Sequence, residues 1–225
     1  MDRALTLAFV GGTGKLGRGL GLRLAAAGHR VLLGSRMPER ALDTAAALRT
    51  RLASAGYPSA ALEGMGNAEA VAGAEVAVLT LPFASLDGFL AEHGTLLADR
   101  IVVDVVNPLQ HVDGRFVLLP VVGGSVGVRI RQAVGRARVV SAFKNAAAAH
   151  MLRLGHPVAG DILVASDDRE AAAVVGSLIR AIPDLRALDA GPLANGGFLE
   201  SLTALQLNLN HLHGALTSIR ILGIN

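Results

Sequence analysis

Short, largely apolar runs recur through the first two thirds of the chain, separated by longer segments of mixed polarity. One such segment, residues 14–27, places Leu16, Leu20 and Leu24 on one side of a helix. A second helix is predicted over residues 38–55, where a proline suits the first turn. The apolar runs are too short for helices and are typical of strands buried on both faces. They comprise residues 5–10, 31–34, 76–81, 101–106 and 139–143.

Strands that alternate with helices, and that are apolar on both faces, indicate a parallel sheet covered by helices on both sides. We therefore predict a Rossmann-type α/β domain over residues 1–143. The pattern then changes to one strand at 162–166, a helix at 168–180 and a long helix at about 197–213. These elements predict a small C-terminal α/β domain over residues 144–225, which contributes to the substrate pocket.

The long C-terminal helix is apolar on more than one side. A helix apolar on two sides is normally buried on both. Because this helix belongs to a small appended domain, we expect it to form a subunit interface, and the protein to be a homodimer. One apolar stripe consists of Phe198, Leu202, Leu205, Leu209 and Leu212, while Leu199 and Leu207 lie on a different face.

Composition narrows the possible functions. The 225 residues contain no apolar run of the roughly 20 residues that a membrane helix needs, and the lack of cysteine excludes disulfides and thiolate metal sites. We expect a cytoplasmic protein. The net charge is +3, but the charges are scattered and only 3% of residues are aromatic, so no nucleic-acid surface is predicted. The histidines have no metal-ligand spacing, and we predict no metal site.

A glycine-rich stretch, Gly12-Thr13-Gly14-Lys15-Leu16-Gly17, joins the first strand to the first helix. In a G-x-G-x-x-G turn the first glycine permits the tight bend, the second lets a pyrophosphate approach, and the third lets helix and strand pack closely. The helix N-terminus then offers free N–H groups to the phosphates. We predict a dinucleotide site. Gly21 suits the same packing, and Gly19 has no evident role.

The end of the second strand indicates which dinucleotide is bound. An NAD site places an acidic residue there for the ribose hydroxyls. This chain instead has Ser35 and Arg36, followed one turn later by Arg40. Guanidinium groups and a hydroxyl suit a 2′-phosphate, which a carboxylate would repel. The residues therefore favour NADP(H) over NAD.

Three stretches resemble one enzyme family over nearly the whole chain: residues 11–36, 78–83 and 188–203. They are similar to the F420:NADP oxidoreductases. The resemblance implies a homodimeric oxidoreductase that passes a hydride directly between the nicotinamide of NADP(H) and coenzyme F420, an 8-hydroxy-5-deazaflavin. It also implies that Thr13, Ser35, Arg36 and Arg40 hold the 2′-phosphate, and that Leu81 and Pro82 border the nicotinamide. Thr80, next to them, is a further candidate to bind the cofactor.

The ends of the fourth and fifth strands carry the remaining candidates, and the second substrate is expected at the segment after the fifth. Asn107 and Pro108 follow the fourth strand and are candidates to line the cofactor. Lys144, Asn145 and Ala146 follow the fifth, in a segment that differs from the archaeal family members. Lys144 could protonate a substrate, or it could form an ordinary salt bridge. Two alternatives stay open: an NADPH-dependent reductase of a small carbonyl or imine with Lys144 as acid, and a non-catalytic NADPH sensor.

Overall fold

The computed structural model describes residues 3–224, and these form ten strands and eight α-helices. The strands are β1 (Thr6–Val10), β2 (Arg30–Ser35), β3 (Leu62–Gly66), β4 (Val76–Leu79), β5 (Ile101–Asp104), β6 (Leu109–Val112), β7 (Arg115–Leu118), β8 (Arg138–Ser141), β9 (Gly160–Val164) and β10 (Leu185–Asp189). The helices are α1 (Lys15–Ala26), α2 (Pro38–Ser54), α3 (Asn67–Ala72), α4 (Leu86–His93), α5 (Val126–Ala133), α6 (Ala148–Met151), α7 (Arg169–Arg180) and α8 (Gly196–His213).

Six of these strands form one parallel sheet in the order β3-β2-β1-β4-β5-β8. The chain runs outward from β1 to β3 and then returns to the opposite side of β1. Both faces of the sheet are covered, because Leu7 and Phe9 belong to one apolar cluster and Ala8 and Val10 to another. The reversal beside β1 leaves a crevice at the carboxyl ends of the strands, where open α/β sheets bind their ligands.

Glycines in α1 permit close packing on two sides. A β-carbon at Gly21 would lie 3.3 Å from Cγ1 of Val31, so this residue lets α1 rest on β2. Gly19 faces α6, and a β-carbon there would lie 2.6 Å from the β-carbon of Met151. The close approach of α1 to α6 therefore explains the glycine to which the sequence assigned no role.

Arg23 is a buried residue of α1, and it binds the end of α6 and the loop that follows α6. Its guanidinium donates hydrogen bonds to the backbone carbonyls of His150, Met151, Arg153 and His156. Burial lowers the pKa of this guanidinium from its ordinary value, yet an arginine stays protonated at any pH a protein meets. One side chain thus joins the loop to the helix behind the glycine-rich turn.

The C-terminal part contains a second, smaller sheet in which β9 and β10 are parallel, with α7 as the connection. An isolated bridge between Ser141 and Ala165 links it to the end of β8. Arg138 forms a salt bridge with Asp168, the residue that caps α7. The small sheet therefore packs on the same core as the large one, and apolar residues of both belong to one cluster.

Helix α8 lies against a short antiparallel hairpin made of β6 and β7. The amide of Asn208 fastens the two, because it accepts from the N–H of Phe116 and donates to its carbonyl. Leu199 is buried on the inner side of α8. The outer side carries an exposed apolar stripe, made of Phe198, Leu205, Leu209 and Leu212, which we call the α8 stripe.

The predicted fold class is confirmed, and each predicted strand and helix is present with its ends moved by a few residues. The subunit interface expected at helix α8 stays a prediction. Leu199 is buried and Leu207 half-buried, but the α8 stripe has no cover within the described residues. Within residues 3–224, no helix combines the length and apolarity needed to cross a bilayer, and histidine and acidic side chains form no cluster of three that could hold a metal ion.

Candidate functional site

A cleft of about 600 Å³ opens at the carboxyl end of the large sheet, above β1. It runs from the end of β2, past the glycine-rich turn, to the ends of β4 and β5. The residues that line it come from five separate segments of the chain. They are Gly11, Thr13, Gly14, Leu16, Ser35, Arg36, Met37, Arg40, Asn67, Thr80, Leu81, Pro82, Ser85, Val105, Val106 and Asn107.

The glycines of the turn differ in their surroundings, in the way that the spacing predicts. A β-carbon at Gly17 would lie 2.7 Å from Cα of Gly12, so these two residues pack directly beneath the cleft. Gly12 donates its N–H to the carbonyls of Phe9 and Gly34, which holds the turn against β2. At Gly14 the nearest protein atom to a β-carbon would be 3.5 Å away. This glycine is exposed, which leaves room for a ligand to approach the backbone.

The start of α1 is suited to an anion. Its first turn carries no acidic residue, and no side chain caps its N–H groups. Such a helix end presents unpaired donors and a partial positive charge. Lys15, the first residue of the helix, is exposed but does not line the cleft.

Asn67 supports the turn from the side, and the sequence analysis missed it. This residue is buried at the start of α3, and its Oδ1 accepts the N–H of Gly11 at 3.1 Å. A β-carbon at Gly34 would lie 2.7 Å from the same oxygen, so Gly34 makes room for the amide. A lone asparagine outside any recognised motif carries no local signal, which is why only the fold reveals it.

Two arginines at the end of β2 have no anionic partner among residues 3–224. Arg36 and Arg40 are exposed, line the cleft and form no salt bridge or side-chain hydrogen bond with the rest of residues 3–224. Ser35 is buried, and its Oγ accepts the N–H of Met37 at 3.1 Å. No acidic side chain lines this cleft in the part of the chain that the structure describes. The electrostatics at this end therefore favour an anionic group.

The other end of the cleft is less polar. Thr80 uses its hydroxyl internally, since Oγ1 donates to the carbonyl of Val10 at 2.8 Å. Leu81, Pro82, Val105 and Asn107 complete this end, and Pro108 is buried just behind it without lining the cleft. A largely apolar wall with a few polar groups suits a flat, weakly polar ring.

Lys144, Asn145 and Ala146 do not line the cleft. The side chain of Lys144 is only 1% exposed, and its Nζ lies 2.8 Å from Oδ2 of Asp104 and 3.1 Å from Oε1 of Glu200. Asn145 donates to the carbonyl of Asp161. Ala146 is half-buried against the core. The ammonium also donates to the carbonyl of Val106, so its three donors are in use, and the role of Lys144 as an acid stays a prediction.

The sheet order and the position of the cleft define the class: a Rossmann-type α/β protein with a cleft at the topological switch point, where such folds bind dinucleotides. Residues 6–108 match the sequence profile of a family described as "NADP oxidoreductase coenzyme F420-dependent".

Similarity extends well beyond that segment. The F420-dependent NADP reductase of Methanothermobacter thermautotrophicus is 35% identical over 210 residues, which cover 92% of this chain and 89% of that protein. The corresponding reductase of Methanocaldococcus jannaschii is 34% identical over 92% of both chains. A crystal structure from Arthrobacter sp. FB24, provisionally named as an F420-dependent NADP reductase, superposes with a TM-score of 0.80 at 28% identity and covers 97% of this chain and 99% of its own. The chain belongs to the F420-dependent NADP reductase family.

Proposed function

We propose that this protein is an oxidoreductase that transfers a hydride between NADP(H) and coenzyme F420. Membership of the family supports the reaction and both substrates. The observation that carries the choice of dinucleotide is that Arg36 and Arg40 line the cleft without an anionic partner among residues 3–224, and that no acidic residue in this range lines it with them. A 2′-phosphate would form ion pairs with both guanidinium groups.

In this proposal the residues of the cleft bind and orient. The glycine-rich turn and the first N–H groups of α1 hold the pyrophosphate, with Asn67 fixing the turn through Gly11. Ser35, Arg36 and Arg40 hold the 2′-phosphate together with Thr13. The two bound rings supply the chemistry, in which a C–H bond at the nicotinamide is exchanged for one at the deazaflavin and solvent provides the balancing proton.

The nicotinamide end is then formed by Leu81, Pro82, Val105, Val106 and Asn107. Apolar side chains at this end support a ring in a fixed plane and keep water from it. Holding two rings at reacting distance is the main contribution a protein can make to such a transfer. No side-chain acid is required, so a buried and fully bonded Lys144 is compatible with this reaction. The carbonyl or imine reductase would need a free acid, and the family relationship does not favour it.

The charge reversal Arg36→Glu tests the cofactor. It removes a charge-assisted hydrogen bond worth about 1.5–3 kcal/mol, so NADPH should bind roughly 10- to 150-fold more weakly. NADH lacks the 2′-phosphate and should be affected far less. Arg131→Glu is the matched control, because Arg131 is exposed on α5, away from the cleft, and its change alters net charge equally. Equal losses for NADPH and NADH in a fluorescence titration would refute the assignment.

Direct mixing tests the second substrate and separates the enzyme from an NADPH sensor. The purified protein, NADPH and oxidised coenzyme F420 should together bleach the visible absorbance of the deazaflavin, with no other component present. The same mixture without protein should not change. A protein that binds NADPH but leaves the deazaflavin oxidised would contradict the proposed reaction.

We also propose a homodimer that joins through the α8 stripe. Four large apolar side chains there are exposed, and Phe198 and Leu212 are each 74% exposed. Contiguous apolar surface of this kind is typical of interaction sites. Our proposed division of the chain at residues 143 and 144 assigns this stripe to the C-terminal domain.

NADP(H) is a cytoplasmic redox carrier, and we propose that the enzyme works in the cytoplasm.

A further inference from the structure

Three charged side chains meet behind the nicotinamide end of the cleft. Asp104 ends β5, Lys144 follows β8 and Glu200 lies in the second turn of α8, and we call them the buried ion cluster. Their side chains are 0%, 1% and 3% exposed. Burial raises the pKa of the Glu200 carboxyl, and the Lys144 ammonium and the N–H of Val126 offset only part of that effect. None of the three side chains lines the cleft, and Glu200 lines a separate pocket beside Phe198.

The buried ion cluster holds both backbone polar groups of Val106. Oδ1 of Asp104 accepts the N–H of Val106 at 3.0 Å, and Nζ of Lys144 donates to its carbonyl at 2.5 Å. Asp104 is itself fixed, because its Oδ2 accepts the hydroxyl of Ser141 at 2.9 Å. Val106 is thus held on both sides by charged groups, and it lines the cleft.

The next residue, Asn107, is held by the same lysine. Its Nδ2 donates to the backbone carbonyl of Lys144 at 3.0 Å. This contact determines the orientation of the amide, since the opposite orientation would place two carbonyl oxygens against each other. Oδ1 is therefore the free end, and it is a buried acceptor with no hydrogen-bond partner among the described residues. An unpaired buried acceptor is unfavourable unless a ligand supplies a donor.

We propose that Lys144 is a positioning residue and that Asn107 is the residue it positions. In this arrangement the Lys144 ammonium and carbonyl fix residues 106 and 107, so that Oδ1 of Asn107 accepts an N–H of a primary carboxamide. The inference rests on the proposed function, in which the carboxamide is that of the nicotinamide. The arginines at the end of β2 occupy the opposite end of the cleft, so the nicotinamide half lies on the β4 and β5 side.

The test compares three ligands by equilibrium titration. NADPH carries the carboxamide, its 3-acetylpyridine analogue has no N–H donor at that position, and adenosine 2′,5′-bisphosphate lacks the nicotinamide half. The parent protein should bind NADPH about tenfold more tightly than the analogue. Asn107→Ala should lose this preference and bind adenosine 2′,5′-bisphosphate as the parent does. A variant that keeps the tenfold preference would overturn the role of Asn107.

The role of Lys144 is tested in a background that has one buried carboxylate fewer. Lys144→Met alone would leave two buried carboxylates without a cation and could fail to fold. The double variant K144M/E200Q leaves only Asp104, whose oxygens still accept the N–H of Val106 and the hydroxyl of Ser141. Its comparison is E200Q, which retains Lys144. The carboxamide preference should persist in E200Q and fall at least fivefold in K144M/E200Q. A double variant that retains the preference, or that loses adenosine 2′,5′-bisphosphate by the same factor as NADPH, would overturn the positioning role.

The two proposals fail in different ways. If the parent binds NADPH but does not reduce coenzyme F420, the proposed second substrate is wrong, and the ligand ratios still decide the role of Lys144. If the parent reduces coenzyme F420 but shows no carboxamide preference, the proposed function stands and the positioning inference is wrong. A parent with no affinity for NADPH would overturn both.

Discussion

Replacing Gly19 with alanine should destabilise the protein, although alanine normally improves a helix. The gain in helix propensity is about 1 kcal/mol. Against it stands the new methyl group, which would lie 2.6 Å from the β-carbon of Met151. Overpacking of this kind costs about 1–3 kcal/mol, and two carbon atoms at that separation place the cost at the upper end. We expect a net loss of about 2 kcal/mol.

Gly88→Ala is the matched control. Gly88 also lies inside a helix, α4, and a β-carbon there would meet no atom within 4 Å. Its replacement should therefore stabilise by up to about 1 kcal/mol. In a chain of this length 1 kcal/mol corresponds to about 2–4 °C in Tm, so Gly19→Ala should melt about 4–8 °C below the parent. Equal stabilisation of both variants in a thermal unfolding experiment would refute the packing argument.

Two further predictions concern charge and assembly. Arg138 holds the pKa of Asp168 at about 2, well below the ordinary aspartate value of 3.8, so the stability this carboxylate contributes should be present above pH 4 and disappear as the pH falls from about 4 to 2. Asp168→Asn, which can still cap α7, should cost about 1–2 kcal/mol in urea unfolding at pH 6 and nothing near pH 2; an undiminished difference at low pH would contradict the linkage. Leu205→Asp in the α8 stripe should shift the protein from dimer to monomer in light scattering, whereas Leu42→Asp, at an equally exposed leucine of α2, should not. A parent protein that is already monomeric would refute the proposed interface.

The strands that the sequence predicts are those that are buried along most or all of their length. Strands β4 and β5 are buried along their whole length and β1 at all but its first residue, so their apolar runs are visible without any other information. Strand β3 was missed because it lies at the edge of the sheet and reads Leu-Glu-Gly-Met-Gly. Its Gly64 is required by a tertiary contact, since a β-carbon there would lie 2.2 Å from the carbonyl oxygen of Ala41.

The candidate site also contains residues that form local sequence patterns and residues that only tertiary contacts bring together. The glycine-rich turn and the end of β2 are local patterns, and their residues line or support one cleft. Asn67 and Glu200 act at a distance along the chain from the residues they contact, Gly11 and Lys144. Such partners depend on the topology of the sheet and on how α8 folds back, and no spacing rule along the sequence encodes them.

The hydrogen bonds of Arg23 determine which residues of the loop at 150–156 can be substituted. Its guanidinium contacts backbone carbonyls alone at residues 150–156, and every amino acid carries a carbonyl. The exposed residues of this loop, Arg153 and His156, can therefore be replaced while the path of the loop stays fixed, provided Arg23 remains. Met151 is the exception, because its side chain is buried against Gly19. Lysine could not replace Arg23, because an ammonium lacks the planar fork that reaches several acceptors.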